Sequence, residues 1–334
     1  MSQITYRECL NWFLSSKSKS IDLEGPWRAK MIAEILSSFY KKFKLDNIDK
    51  SNEIKCECIN FSDYNSNYLL PIKNLSKDIN LYCKKYLFNA LLHGSLADLT
   101  YKKGWSDIDT FFIVNKETCS DAEKILKLRS IIFDMNKYIY QIDNLAHHEY
   151  IFITEYDLNN YNSLFLPSQV IQNAKSLFKN SKNFQVYEKK IKKNLLVINR
   201  FKDKLKLFKN FTKNGTFDHH PLNGEYLDSN LKKNNYRMYQ LKYFLETVMT
   251  LPAYYLEAIG QPIEKSKSFF IKDDFKSLWA IVDKSTQIRN LWEKKEKHPY
   301  KSNLIPKWVI QTLDKNFHKE AFELIFEMNR KIIK

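Results

Sequence analysis

Apolar residues recur along this chain with two different periods, and the mixture changes near its middle. After Pro26, the residues Trp27, Met31, Ile35 and Phe39 fall on one face of a helix. In "EIKCECI", Ile54, Cys56 and Cys58 alternate with charged residues, which predicts a half-buried strand. Ser76 with Asp78 marks a helix start, running to about Lys85. "YLFNALLH" then reads as a buried strand ending at Gly94, "WSDIDTFFIV" as a second and "HHEYIFIT" as a third. Ser120-Asp121-Ala122-Glu123 has the form of a capping box. It opens a helix through about Tyr140 with Ile125, Leu128, Ile132, Met135 and Ile139 inside.

The second half carries no comparable strand pattern. Tyr187, Ile191, Leu195, Ile198, Phe201, Leu205 and Phe208 predict a long amphipathic helix with a lysine-rich outer face. Phe317, Ala321, Leu324, Met328 and Ile332 predict another, and helical patterns run from Asn234 to about Gly260 and from Phe275 to Lys294. The expected architecture is α+β: a small mixed sheet with helices over residues 1–178, then an all-α helical bundle over 179–334, divided within "KSLFKNSKNF".

Composition narrows the function classes. The formal net charge is +16, but only seven of the 54 basic residues are arginine. Phosphate and base readers lean on the bidentate guanidinium, so a solvated lysine surface is favoured over a nucleic-acid footprint. The five cysteines, with Cys56 and Cys58 too close and isolated for a zinc site, read as reduced thiols. "MSQITYRECLNWF" lacks the basic and apolar regions of a secretory signal, and no apolar run approaches membrane-spanning length. A cytoplasmic protein with no membrane partner is expected.

The candidate chemistry lies in "LLHGSLADLTYKKGWSDIDTFFIV", which holds two of only six glycines. Gly94 permits a tight turn and close backbone approach to a bulky ligand. Ser95 and the N–H groups of a following helix start suit an anion such as a triphosphate. Asp107 and Asp109, two apart on a strand, share one face about 6.6–7 Å apart along the backbone. Their carboxylates can converge on a pair of Mg²⁺ ions.

An apolar strand, Gly-Ser, a spacer of about ten residues and Asp-x-Asp on a buried strand resemble the signature of the DNA polymerase β-type nucleotidyltransferase superfamily. The resemblance implies a polymerase β-like domain in the first half. It implies Gly94, Ser95 and Ser106 as nucleotide-binding residues and Asp107 and Asp109 as metal ligands. "IDNLAHHEYIFITEYDL" resembles an Asp-Pro-Leu-Gln-His-His-Gly stretch of bacterial nucleotidyltransferase-domain proteins at Asp143, Leu145, His147 and His148, and departs from it at Asn144, Ala146 and Glu149. Strand alternation makes Glu149 the natural third carboxylate or base, with His148 the competing base. The helical half resembles the same bacterial group more faintly. That likeness offers Lys242, and also Lys265, Lys267 or Arg289, as triphosphate or acceptor contacts. "GTFDHHPLNGEYL" reads as a surface loop rather than a zinc site.

Together these imply a Mg²⁺-dependent transfer of a nucleoside monophosphate from an NTP to an acceptor hydroxyl, with pyrophosphate released. A small-molecule acceptor is favoured. The alternatives are a tRNA or protein acceptor, as in nucleotidyltransferase toxins, and a nucleotide-binding regulatory module without catalysis.

Overall fold

The computed structural model describes residues 3–15, 25–41, 50–143, 149–161, 168–188, 195–218, 226–233, 238–296 and 304–333. It is mixed α+β, with a small mixed sheet and a helical C-terminal region. The chain divides into two compact units: Met1–Tyr101 with Ser106–Lys190, and Lys102–Trp105 with Ile191–Lys334.

In chain order the first unit contains α1 (Gln3–Leu14), α2 (Gly25–Lys41), β1 (Lys50–Ile54), β2 (Glu57–Cys58), α3 (Ser66–Asp78), β3 (Leu87–His93), α4 (Gly94–Ala97) and β4 (Asp109–Val114). Then follow α5 (Lys116–Cys119), α6 (Ala122–Met135), α7 (Lys137–Ile142), β5 (Ile151–Thr154), α8 (Ser168–Gln172), β6 (Lys175–Ser176) and β7 (Phe184–Glu188). The main sheet has the order β2-β6-β3-β4-β5, and β1 pairs with β7 in a separate antiparallel ribbon. β3 and β4 are antiparallel, with His93 opposite Asp109; β4 and β5 are parallel, with Phe111 level with Ile151.

Both faces of this sheet are buried. Ala90, Leu92, Phe112, Val114 and Phe152 join a core with helical residues such as Leu36, Ile72, Leu128 and Ile132. Leu91, Phe111, Ile113 and Ile153 join a second core with Ile54, Phe184 and Val186 of the ribbon. Helices therefore cover one face and the ribbon covers the other, which explains the nearly continuous apolar runs of β3 and β4. β5 is an edge strand, and α1 seals it. Asn11 accepts from the Phe152 N–H through Oδ1 (2.7 Å) and donates to the Phe152 carbonyl through Nδ2 (2.6 Å). One side-chain amide thus occupies the ladder position of a missing strand.

Several sequence expectations are corrected here. α2 forms, but Ala29, Ile32, Ala33, Leu36 and Tyr40 make its buried face, while Trp27 is 65% and Met31 38% exposed. Two alanines allow close helix packing that the aromatic stripe would prevent. "EIKCECI" is two strands in two sheets, and Cys58 is exposed. Ser76 does not start a helix: it lies inside α3, buried, and donates to the Leu177 carbonyl (2.7 Å). The cap of α6 is Asp121, which accepts from the N–H groups of Glu123 and Lys124; the expected helical run past Tyr140 forms, interrupted at Asn136 between α6 and α7. Tyr187 lies in β7 rather than on a helix.

The second unit contains α9 (Leu195–Asn214), β8 (Thr216–Asp218), β9 (Tyr226–Asp228), α10 (Met238–Ala258), α11 (Lys272–Phe275), α12 (Ala280–Lys295), α13 (Lys307–Leu313) and α14 (Phe317–Ile333). The antiparallel pair β8–β9 was not signalled by periodicity, because three-residue strands are too short to show one. Phe208, Phe211, Phe217, Phe244 and Phe317 cluster with ring centroids 5.2–5.8 Å apart. Phe317, Ala321, Leu324, Met328 and Ile332 are all buried, as their spacing predicts. Trp105 is anchored in this unit. Its indole N–H donates to Glu246 Oε1 (2.6 Å), Lys265 pairs with the other oxygen, and the Trp292 ring meets it edge-on at 5.1 Å. Among the described residues no helix is long and apolar enough to cross a membrane.

Replacing Asn11 with alanine leaves the Phe152 N–H and carbonyl without their protein partners. The expected cost is about 1–3 kcal/mol, read from the urea midpoint at unchanged m-value. A loss under about 0.5 kcal/mol, the range of an ordinary surface change, would show that Asn11 does not seal the sheet edge.

Candidate functional site

The alternation of β4 fixes where its acids stand. Ile108, Phe112 and Val114 belong to the helix-side core, and Phe111 and Ile113 to the ribbon-side core. Asp107 and Asp109 share the odd-numbered register of the ribbon side, and both are partly exposed. Asp109 begins β4; Asp107 precedes the strand rather than lying within it. Just before the neighbouring strand, Tyr150 is buried in the helix-side core and donates to the Met135 carbonyl (2.7 Å). Glu149 is half-buried. It stands two residues before Ile151, as Asp109 stands two before Phe111, its parallel partner. Three acids therefore occur at the same end of adjacent strands.

Gly94 has φ +66, a left-handed conformation that glycine adopts without strain. An added Cβ would lie 2.4 Å from Asp109 Oδ2 and 3.2 Å from its Cγ. The close approach that Gly94 permits is thus to the Asp109 carboxylate itself. Sequence reasoning assigned the space to phosphates and missed this; the only signal was the scarcity of glycine. α4 is a single turn after Gly94, with Ser95 half-buried in it. Tyr64 holds that turn: its hydroxyl donates to the Leu96 carbonyl (2.8 Å). Burial, then Asp63, Tyr101 and Asp98, raise the Tyr64 pKa, so the donor stays protonated.

Ser106 is 3% exposed. Lys242 lies on α10 in the second unit, 1% exposed, with its amine 5.9 Å from the Trp105 ring centroid. Lys265 and Lys267 are ion-paired with Glu246 and Glu264. His147, His148, His219 and His220 lie outside the described residues. All five cysteines are free thiols. Among the described residues no group of three or more His, Cys, Asp or Glu side chains gathers in a way that would hold a metal ion.

Two carboxylates still suit Mg²⁺. That ion takes oxygen ligands, and one or two carboxylates commonly hold it while waters and substrate phosphates complete the shell. Asp107 and Asp109 are thus oxygen donors that a phosphate-bridged Mg²⁺ could use, and among the described residues there is no all-protein cage. Comparison of the chain with family models, with characterised proteins and with solved structures finds no match.

Gly94→Ala should cost about 1–2 kcal/mol from left-handed strain alone, with a further penalty from the clash with Asp109. Asp109→Ala removes the clashing carboxylate, so the double variant should be less destabilised than the two single losses summed. Chemical denaturation of all three variants measures this. Strict additivity would mean that Gly94 does not make room for Asp109.

Proposed function

We propose that this chain is a Mg²⁺-dependent nucleotidyltransferase of the polymerase β type, moving a nucleoside monophosphate from an NTP to a hydroxyl of a small acceptor. The observation that carries this reading is the seating of Asp109 against Gly94 where β3 ends beside the start of β4, with Asp107 two residues before it. The order of glycine, serine and paired acids is that of the superfamily signature.

In this reading Asp107 and Asp109 hold the metal, and Ser95 with the α4 N–H groups binds phosphate oxygens. Bound Mg²⁺ would withdraw charge from the phosphate oxygens and template the triphosphate. The acceptor oxygen forms its bond to the α-phosphorus as the bond to the β-phosphate oxygen breaks, and pyrophosphate leaves with the electron pair. Glu149 takes the acceptor proton; its level with Asp109 supports that role over His148. The Arg-poor surface favours a small acceptor over tRNA. The departure from the bacterial pattern at Glu149 favours a second reading, a module that binds nucleotide without turning it over.

Incubation with each α-labelled NTP, Mg²⁺ and a cell extract tests both. Label on a small acceptor supports transfer, label on RNA or protein redirects the acceptor class, and saturable NTP binding without product supports the silent module. If no NTP binds, both readings fall. Asp107→Asn and Asp109→Asn should each lower turnover roughly a thousandfold or more with the fold retained.

The third strand has its own test. Glu149→Gln should reduce single-turnover rates sharply while NTP affinity survives. A wild-type rate rising through roughly pH 6–7, with His148→Asn damaging and Glu149→Gln mild, would instead make histidine the base.

A further inference from the structure

We propose that Cys56 and Cys58 form a redox-active dithiol in the first unit, a site where small-molecule disulfides reversibly oxidise this chain to an intramolecular Cys56–Cys58 disulfide. It is independent of the transfer reaction.

Only Glu57, in β2, separates the two cysteines, and extended backbone spaces such a pair about 6.6 Å apart at Cα. Disulfides form at Cα separations of roughly 4.4–6.8 Å, so the bond fits near the wide end of that range. Both side chains also meet the same surroundings. Cys56 packs against the ribbon-side core, and its sulfur accepts from Asn89 Nδ2 (3.3 Å). Cys58 is level with Ser176, whose hydroxyl donates to Oδ1 of the same Asn89 amide (3.0 Å). Residues 179–183 run past both. The Lys179 carbonyl accepts from the Cys58 thiol (3.3 Å), the Ser181 hydroxyl oxygen accepts from Asn89 (2.9 Å), and Asn183 accepts from the Cys56 N–H (3.1 Å). The Glu57 carboxylate is taken up by Lys175. No other cysteine competes for either sulfur. Cys83 and Cys119 are buried, and Cys9 lies on α1 at the β5 edge, four strand spacings or about 19 Å across the sheet from β2.

Exposure divides the roles. Cys58 is exposed, so its thiolate is the one a dissolved disulfide meets. Cys56 is half-buried, and burial raises its pKa, with Ser181 and Asn89 opposing and the Cys58 charge adding to the rise. The Cys58 thiolate attacks one sulfur of a disulfide RS–SR, forming Cys58–S–S–R and releasing RS⁻. Cys56 gives its proton to solvent, and its sulfur attacks the Cys58 sulfur, closing the ring and releasing a second RS⁻. Two electrons pass from the cysteines to RS–SR, which leaves as two thiols. Asn89 is set for the second step. Its Oδ1 is held by the Ser176 hydroxyl and the Ala90 N–H (2.8 Å), so Nδ2 stays turned to the Cys56 sulfur, and a donor meets the thiolate as it forms. Ring closure takes away the hydrogen bond from Cys58 to Lys179 and leaves the new bond exposed. Exposed disulfides are the readily reduced ones, so this pair suits exchange rather than permanent cross-linking.

The full reduced chain, freed of reductant, is incubated with glutathione disulfide in the absence of metal and nucleotide. It is then quenched with acid, capped with N-ethylmaleimide and digested with trypsin, which leaves both cysteines in one peptide, residues 56–73. Mass spectrometry should find that peptide lighter by two hydrogens and carrying neither glutathione nor the cap, and dithiothreitol should restore it. Cys56→Ser should stop with one glutathione held on Cys58, because the resolving thiol is gone. Cys58→Ser should take up glutathione at Cys56 about tenfold or more slowly, because that thiol is half-buried and held protonated. Cys9, exposed at the far edge of the sheet, should take up glutathione without closing a ring. Both variants replace a thiol by a hydroxyl of similar size, and circular dichroism checks that each keeps the fold. Three results would overturn the proposal: no reaction in the 56–73 peptide, a mixed disulfide at Cys58 that persists in wild type, or equal rates for Cys56→Ser and Cys58→Ser.

Discussion

A one-residue slip of β4 would turn Asp109 into the helix-side core and carry Phe112 to the ribbon side. Because the strand is buried on both faces, that slip would misplace every side chain from Ile108 to Val114 at once. The register is therefore among the most tightly held features of the first unit. What is fixed with it is the orientation of the acids at its start. Tyr150 does the same just before β5: its hydroxyl is committed to the Met135 carbonyl, and alternation carried back from the strand leaves Glu149 the opposite face. Tyr150 thus aims Glu149 as the register of β4 aims Asp109.

The strands of the site could be read from the sequence because their signals are local. Continuous apolar runs before Gly94 and after Asp109 mark β3 and β4, and both form. The helix faces were less legible. On α2 the large residues Trp27 and Met31 suggested a stripe, whereas the buried stripe is built on Ala29 and Ala33, whose small size matters only once neighbouring helices are in place. Asp121 displaced Ser120 as a cap by a single residue, within the usual latitude of helix ends. Contacts between residues distant in sequence were illegible altogether. Nothing in "NWF" announces that Asn11 completes the edge of β5, and nothing near Gly94 announces that its missing Cβ is filled by Asp109.

Carboxylates taken out of solvent are handled in two ways in this chain. In the first unit, Asp157 is wholly buried and its oxygens accept from the Tyr40 hydroxyl, the Thr154 N–H and the Thr154 hydroxyl. A carboxylate so supplied with donors is a structural element. In the second unit, Glu246 and Glu320 are likewise paired, while Glu257 is buried with an oxygen left over. The contrast lies within one chain, so it is not a general looseness in how this protein treats its acids. It separates carboxylates that close a network from one that leaves a network open.

The connection between β3 and β4 carries the same logic to the backbone. Two adjacent antiparallel strands need only a two-residue hairpin turn. Here residues 94–108 intervene, with a one-turn helix and left-handed backbone at Gly94, Leu99 and Gly104. Leu99 pays for its conformation, since a side chain in that region costs about 1–2 kcal/mol. Such a detour persists only where the surroundings enforce it, and they do. Tyr64 holds the Leu96 carbonyl, and Tyr101 stacks on Tyr64 and meets the Tyr68 ring at a tilt. Strain of this kind adds nothing to the stability of the sheet it connects. Long, strained, tightly anchored connections are where proteins position chemistry on a rigid scaffold. This one begins at the glycine under Asp109 and ends at Asp107.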